Sequence, residues 1–138
     1  MRRRRKSREF ALQALYQLNI TEQDATSLLA QFQKYFLPDG EADDFLKRLV
    51  LGVLNHYEEL DRLIEKYSEN WSLDRIDVID RNILRMALFE LLYCQDIPPK
   101  VTINEAVDLA KRYGSEDSGS FINGILDRIQ NEVVRKPI

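Results

Sequence analysis

The first eight residues hold six cations and no acid: Arg2, Arg3, Arg4, Arg5, Lys6 and Arg8. Guanidinium groups bind phosphates through paired N–H donors, so a dense row of them is typical of a polyanion contact. The formal net charge of the whole chain is only −3. Because the other 130 residues contain 14 cations and 23 acids, a basic start precedes an acidic body. This asymmetry predicts a local contact with a polyanion.

The cations at positions 2–6 repel one another, so we expect residues 1–8 to form an extended, flexible basic arm. Ser7 is predicted to cap the helix that follows. Tyr16, two turns into that helix, is a candidate for stacking on an unpaired base, for contact with a partner protein or for packing at the edge of the fold. A solubilising tail and a nuclear-localisation-like run remain alternatives for the cations.

The other reactive side chains do not converge on a catalytic or metal site. Asp74, Asp77 and Asp80 have helical spacing, which also suits acids at the start of a helix. His56 is the single histidine and Cys94 the single cysteine, which excludes an intramolecular disulfide and a cysteine-based zinc cluster. The sequence contains no phosphate-binding glycine loop and no serine elbow. It therefore favours a non-enzymatic function without a cofactor, with a hydrolase or transferase as the lesser alternative.

Apolar residues follow helical spacing along nearly the whole chain, and no segment alternates with period two. We therefore predict an all-α fold of six or seven helices in one compact domain. Helices are expected after Ser7, at about 24–36, 42–55 and 76–94, over the stripe from Leu60 to Tyr67, and in two segments after Pro99. No run approaches the ~18 apolar residues of a membrane span, and no secretory cleavage pattern follows the arginines. The expected location is cytoplasmic.

Several local features predict helix ends and pairings. Thr102 and Glu105 fit a capping box, and Gly114 suits a left-handed residue just past a helix C-terminus. Asp80 with Arg81, together with Arg85, is expected to form surface ion pairs. Cys94 is expected to be a partly buried residue of a helix.

Four motifs follow one another along the chain: REFALQALY at 8–16, DRNILRMALFEL at 80–91, IPPKVTINEAVDLAKRYG at 97–114 and FINGILD at 121–127. In this order and spacing they resemble the NusB family of bacterial transcription antitermination factors, over nearly the whole chain. The resemblance implies two small helical subbundles, residues 9–57 and 58–138, behind the basic arm at 1–8.

The resemblance also implies a non-catalytic RNA-binding factor. Such a factor binds boxA, a short single-stranded element of ribosomal-RNA leader transcripts, together with the ribosomal protein NusE. The pair then joins other Nus factors on RNA polymerase and suppresses premature termination. Similar domains also precede the catalytic domain of ribosomal-RNA methyltransferases. Because this chain ends at Ile138, soon after the last predicted helix, we expect the free-standing factor.

Carried over by position, the resemblance implies two RNA-binding segments, the basic arm and the loop before the last helix. The residues concerned are Arg3, Arg4, Arg5 and Arg8 in the arm, and Glu116, Asp117 and Phe121 in and after the loop. Tyr16 and Asp80 match positions on the side of the family's fold that meets RNA or NusE, without being assigned to either.

Two departures from the family's pattern are visible. Phe89 stands where tyrosine is common, which removes a hydroxyl group, and Gly119 and Ser120 replace bulkier polar residues, which is predicted to loosen the loop. The apolar segments 42–55 and 76–94 also leave a homodimer open, in which the basic arm would be hidden until NusE or RNA displaced the second copy. A pure protein-interaction module with a solubilising tail is the competing hypothesis.

Overall fold

The computed structural model describes residues 2–35, 40–69 and 72–134, with the side chains at 2, 3, 33, 35 and 40–43 excepted. The described residues form seven α-helices and no strand, which confirms the predicted all-α fold. The helices are α1 (Arg2–Ile20), α2 (Ala25–Tyr35), α3 (Gly40–Asn55), α4 (Tyr57–Tyr67), α5 (Val78–Tyr93), α6 (Pro99–Tyr113) and α7 (Ser118–Ile129). A 3-10 turn (Leu73–Arg75) precedes α5, and a π-helical turn (Gln130–Val134) follows α7.

The chain divides into two compact units, Met1–Asn55 and His56–Ile138, called unit 1 and unit 2 below. Unit 1 consists of α1, α2 and α3, with α1 packed mainly along α3. Its core is apolar, and the rings of Phe10 and Phe32 meet edge to face at 5.9 Å between centroids. Burial of the apolar faces of α1, α2 and α3 stabilises these helices, which would be only marginally stable in isolation.

Unit 2 is built around α5, which packs against α4, α6 and α7. Ile83, Leu84, Leu88 and Leu91 are fully buried on this helix. Because α5 is enclosed on most of its circumference, its buried residues are not confined to one stripe and include the polar Asp80, Asn82, Arg85 and Glu90. This packing fixes the start of α5 within unit 2.

Arg85 is buried on α5, which corrects the predicted surface ion pairs. Its Nε and Nη2 donate to the two carboxylate oxygens of Asp61 at 2.7 and 3.1 Å. Its guanidinium also lies 4.3 Å from the ring centroid of Tyr57. A buried charge needs such partners, because an unpaired one would carry a large desolvation cost. Spacing along one helix could not reveal a partner 24 residues away.

The predicted capping box of α6 is wrong. The helix begins at Pro99, three residues earlier, with proline in its first turn. Thr102 is therefore inside the helix and buried, and its hydroxyl donates to Glu90 Oε1 of α5 at 2.9 Å. The hydroxyl joins two helices instead of capping one.

The predicted extended conformation of the basic arm is also wrong. Helix α1 begins at Arg2, and Ser7 is a buried residue within it rather than its cap. The observed breaks between α3 and α4 and after Tyr93 lie where the sequence predicted them. Cys94 forms the C-cap of α5 and is fully buried.

None of the helices in the described part of the chain has both the length and the apolar character needed to cross a membrane.

Candidate nucleic-acid interface

The cations of α1 are divided between a packed set and an exposed set. The guanidinium carbons of Arg4 and Arg8 lie 4.9 and 5.3 Å from the ring centroid of Phe45 on α3. Arg8 is only 3% exposed, whereas Arg4 is half-buried. The two arginines are one helical turn apart, so both reach the same ring. Cation–π contact of this kind holds the start of α1 against α3.

Arg5 and Lys6 are exposed on the same two turns of α1. Tyr16 is 37% exposed and lies eleven residues after Arg5, about three helical turns, so the two side chains share one face. The side chain of Arg3 lies outside the described residues. Unit 1 thus presents Arg5 and Tyr16 along one face of α1, with Lys6 exposed about 100° further round the helix.

A second group of predicted residues lines a cavity of about 410 Å³ in unit 2. The cavity lies between the segment that leads into α5 and the start of α7. Asp80, Asp117 and Phe121 contribute to its wall, together with Arg75 and Asp77. The family resemblance named Asp80, Asp117 and Phe121 as candidates, whereas Asp77 was interpreted only as an acid at the start of a helix and Arg75 was missed. In the described part of the chain no group of His, Cys, Asp and Glu side chains could hold a metal ion.

Asp80 is 7% exposed and ties α5 to α7. Its Oδ2 accepts a hydrogen bond from the hydroxyl of Ser118 at 2.9 Å, and that hydroxyl in turn accepts from the backbone N–H of Ser115 at 2.9 Å. Its Oδ1 is buried without a hydrogen-bond partner in the described chain. Burial raises the pKa of the Asp80 carboxyl above its ordinary value of 3.8; the Ser118 hydrogen bond opposes this rise, and the charge of Asp77 adds to it.

Gly114 permits this arrangement by its lack of a side chain. A Cβ at this position would lie 2.5 Å from Ser118 Oγ and 2.8 Å from the carbonyl oxygen of Ala110. The backbone of Gly114 is extended (φ −93°, ψ −165°), so the predicted left-handed conformation is wrong. Glycine is required here for the close approach of Ser118, which sequence reasoning did not reveal.

Gly119 was predicted to loosen the loop before the last helix, but Ser118 and Gly119 are buried residues of α7 itself. A Cβ on Gly119 would lie 3.3 Å from Lys111 Cγ, so the glycine allows close packing against α6 rather than a loosened loop. Glu116 and Asp117 are exposed, and Phe121 is half-buried with its ring at the cavity wall. Ser115 and Ser118, which order this segment, were not predicted as site residues; two serines three apart before a helix are a recognisable local hydrogen-bonding pattern.

The family of this chain follows from how much of its sequence matches a family model. A model of the NusB family matches residues 5–131. The chain belongs to the NusB family. This membership confirms the resemblance carried by the four motifs.

Individual members of the NusB family agree over most of their length. The chain is 48% identical over 136 residues to the transcription antitermination protein NusB of Syntrophus aciditrophicus, covering 99% of this chain and 84% of that protein. It is 49% identical over 130 residues to the NusB of Myxococcus xanthus, covering 91% and 93%.

Solved structures agree in fold as well. NusB of T. maritima superimposes with a TM-score of 0.86 at 42% identity, covering 95% of this chain and 92% of that one. A chain from the crystal structure of antitermination factors NusB and NusE in complex with double-stranded RNA gives a TM-score of 0.85 at 31% identity, covering 95% and 98%. The fold of this NusB-family chain is thus one that occurs in an RNA-containing complex.

Proposed function

We propose that this NusB-family chain is a non-catalytic RNA-binding adaptor in transcription antitermination. It binds boxA RNA of ribosomal-RNA leader transcripts together with the ribosomal protein NusE. The pair then joins other Nus factors on RNA polymerase and helps the enzyme read through terminators. The similarity to a protein crystallised with NusE and RNA is the observation that carries this proposal.

The exposed cations of α1 supply the attraction for RNA. Arg5 and Lys6 are exposed and Arg4 is half-exposed, so phosphates can reach them. Arg3 belongs to the same basic run. Arg8 acts mainly by holding Phe45, because its side chain is nearly inaccessible. Each neutralised phosphate contributes about −0.7 to the slope of log affinity against log salt on a single strand.

The residues around the cavity supply the choice of sequence. Phe121 is half-buried and can stack on an unpaired base, while Asp80, Glu116 and Asp117 offer carboxylate oxygens to base N–H donors. Asp80 also has a buried oxygen, Oδ1, without a hydrogen-bond donor in the described chain. Tyr16 contacts either the RNA or NusE. Carboxylates repel phosphates, so this region reads bases and contributes little to the overall attraction.

The test is a titration of fluorescently labelled single-stranded boxA RNA over a range of salt concentrations, with and without NusE of the same genome. A scrambled RNA and a duplex RNA serve as competitors. The double variant Arg5→Gln with Lys6→Gln is expected to make the salt slope shallower by about 1.4, since two phosphate contacts are lost. Its charge-matched control replaces two exposed cations of unit 2, Arg62→Gln with Lys100→Gln, and should leave the slope unchanged.

Two results would contradict the proposal. Equal affinity for the boxA and scrambled RNAs in the presence of NusE would remove sequence-specific RNA binding. NusE binding that is indifferent to RNA, with no RNA bound by the pair, would favour the pure protein-interaction module instead.

Self-association is a separate part of the proposal. Leu51 on α3 and Tyr93 on α5 are each 41% exposed and lie in the two apolar segments that left a homodimer open. Sedimentation velocity at rising concentration tests this directly, and a monomer throughout would exclude the homodimer.

A further inference from the structure

Gly124 lies in the middle of α7, where glycine has no structural purpose within the described chain. It is exposed, and a Cβ built on it would have no atom within 4 Å. No glycine of the described chain has a positive φ, so the backbone here accepts any L-residue. Glycine in a helix interior is less favourable than alanine, because it loses more conformational freedom on folding. Gly114 and Gly119, which precede it in unit 2, do have close neighbours.

The neighbours of Gly124 on its own helix face are suited to a nucleic-acid strand. Phe121 is one turn before it and Arg128 one turn after it, so the three positions share a row at i, i+3 and i+7. Phe121 forms part of the cavity wall. The Arg128 side chain is 44% exposed while its Nη1 lies 2.8 Å from Glu69 Oε1. The row therefore holds an aromatic ring, bare backbone and a partly exposed guanidinium that also pairs with Glu69 and Glu132.

The cavity at one end of this row contains an independent sign of a ligand. Asp80, which lines it, is more than nine-tenths buried, yet its Oδ1 has no hydrogen-bond donor within the described chain. Buried polar atoms are almost always hydrogen-bonded, so an exception calls for a partner from outside. A base that entered the cavity beside Phe121 would direct the adjoining part of its strand along α7.

We propose that Gly124 is an RNA-contact residue, where the ribose of a strand anchored beside Phe121 lies directly against the backbone of α7. This inference rests on the proposed function and extends it to a residue outside the predicted site. The missing side chain leaves room for that approach, and any side chain there would hold the strand away. Such a contact explains why α7 contains a helix-weakening glycine that no contact within the described chain requires.

The experiment uses the full chain with NusE and the same labelled boxA RNA. Gly124→Ala is expected to raise the Tm by about 2–5 °C, since a helical residue replaces glycine in open space. The same variant is expected to weaken RNA binding, and Gly124→Gln, with its longer side chain, should weaken it by about tenfold or more. Ala30→Gln is the matched control, since Ala30 is exposed in the interior of α2, and it should leave RNA affinity unchanged.

The outcomes separate this inference from the function on which it rests. If the unsubstituted chain with NusE does not prefer boxA RNA, the proposed function fails. If it does and Gly124→Gln binds RNA equally well, the contact at Gly124 is wrong while the function stands. If Gly124→Gln loses NusE in the absence of RNA, the bare backbone receives a protein, which also overturns the inference. A thermal melt of each variant shows that the fold is retained.

Discussion

The two candidate contact regions differ in how their side chains are held. At the start of α1 the charge is positive, and exposed Arg5 and Lys6 stand beside buried Arg8. At the cavity of unit 2 the charge is mainly negative, and Asp80 is held by a hydrogen bond from Ser118. Exposed cations attract a polyanion from a distance without fixing its register, whereas carboxylates with fixed positions can discriminate between bases. The proposed function therefore assigns attraction and selection to different regions of one chain.

The largest expected effect is that of a substitution at Gly114. It should disrupt the ordered region of unit 2 and leave unit 1 unaffected. Gly114→Ala places a Cβ against Ser118 and the carbonyl of Ala110, so we expect the free energy of unfolding to fall by about 3 kcal/mol. Urea denaturation measures this loss. Gly124→Ala is the matched control, because its Cβ meets nothing. Equal stability of the two variants would show that the loop before α7 adapts freely.

A smaller effect should distinguish the packed and exposed arginines of α1. Arg8→Ala removes a nearly buried guanidinium from Phe45, so the free energy of unfolding should fall by about 2 kcal/mol. Arg5→Ala should leave stability within about 0.5 kcal/mol and make the salt slope of RNA binding shallower by about 0.7. Chemical denaturation and RNA titration of both variants provide the comparison. A stability loss in Arg5→Ala as large as that in Arg8→Ala would remove the division between the two sets.

The smallest expected effect concerns the pH dependence of the cavity. Burial raises the pKa of Asp80 in the folded chain above its ordinary value of 3.8. The folded state therefore binds the proton more tightly than the unfolded state, and this group makes the protein less stable as the pH rises from 3.8 through the raised pKa. Asp80→Asn removes this fall, so the stability of the variant relative to the original chain should increase as the pH rises from 3.8 through the raised pKa. At neutral pH the two proteins should differ by no more than about 1 kcal/mol.

The control for this measurement is Asp74→Asn, in the exposed 3-10 turn before α5. It removes a carboxylate from an exposed position, so the difference between the two variants isolates the effect of burial at Asp80. Thermal melts of the three proteins between pH 3 and pH 8 are sufficient. A slower rise of stability with pH in Asp80→Asn than in the original chain would contradict this sign.

The helices were predictable because their stabilisation comes from apolar faces that repeat every turn. The buried stripe of Ala11, Ala14 and Leu15 is visible in the sequence, and so is the break at Asn55. The start of α1 was not predictable, because Arg4 and Arg8 are held by Phe45, a residue far along the chain. Local repulsion predicted an extended arm, and a tertiary contact outweighs it.

The site was predictable to the extent that family motifs identify residues. Asp80, Asp117 and Phe121 were named from motifs, and they line one cavity. Their RNA-binding roles remain predictions. The Ser118 hydrogen bond to Asp80 was not predictable, since it joins residues 38 apart. The steric requirement at Gly114 was equally hidden, because a glycine after a helix usually indicates a left-handed conformation.

The burial of Cys94 has a practical consequence for measuring these contacts. It is the single cysteine of the sequence, and no part of it is exposed. A buried thiol reacts slowly with maleimides, so a cysteine introduced at exposed Glu116 would take up a fluorophore selectively in the native protein. Quenching of that dye by an acceptor on the RNA would report proximity without mutating Cys94. After unfolding, reaction of Cys94 itself would count the molecules that had opened.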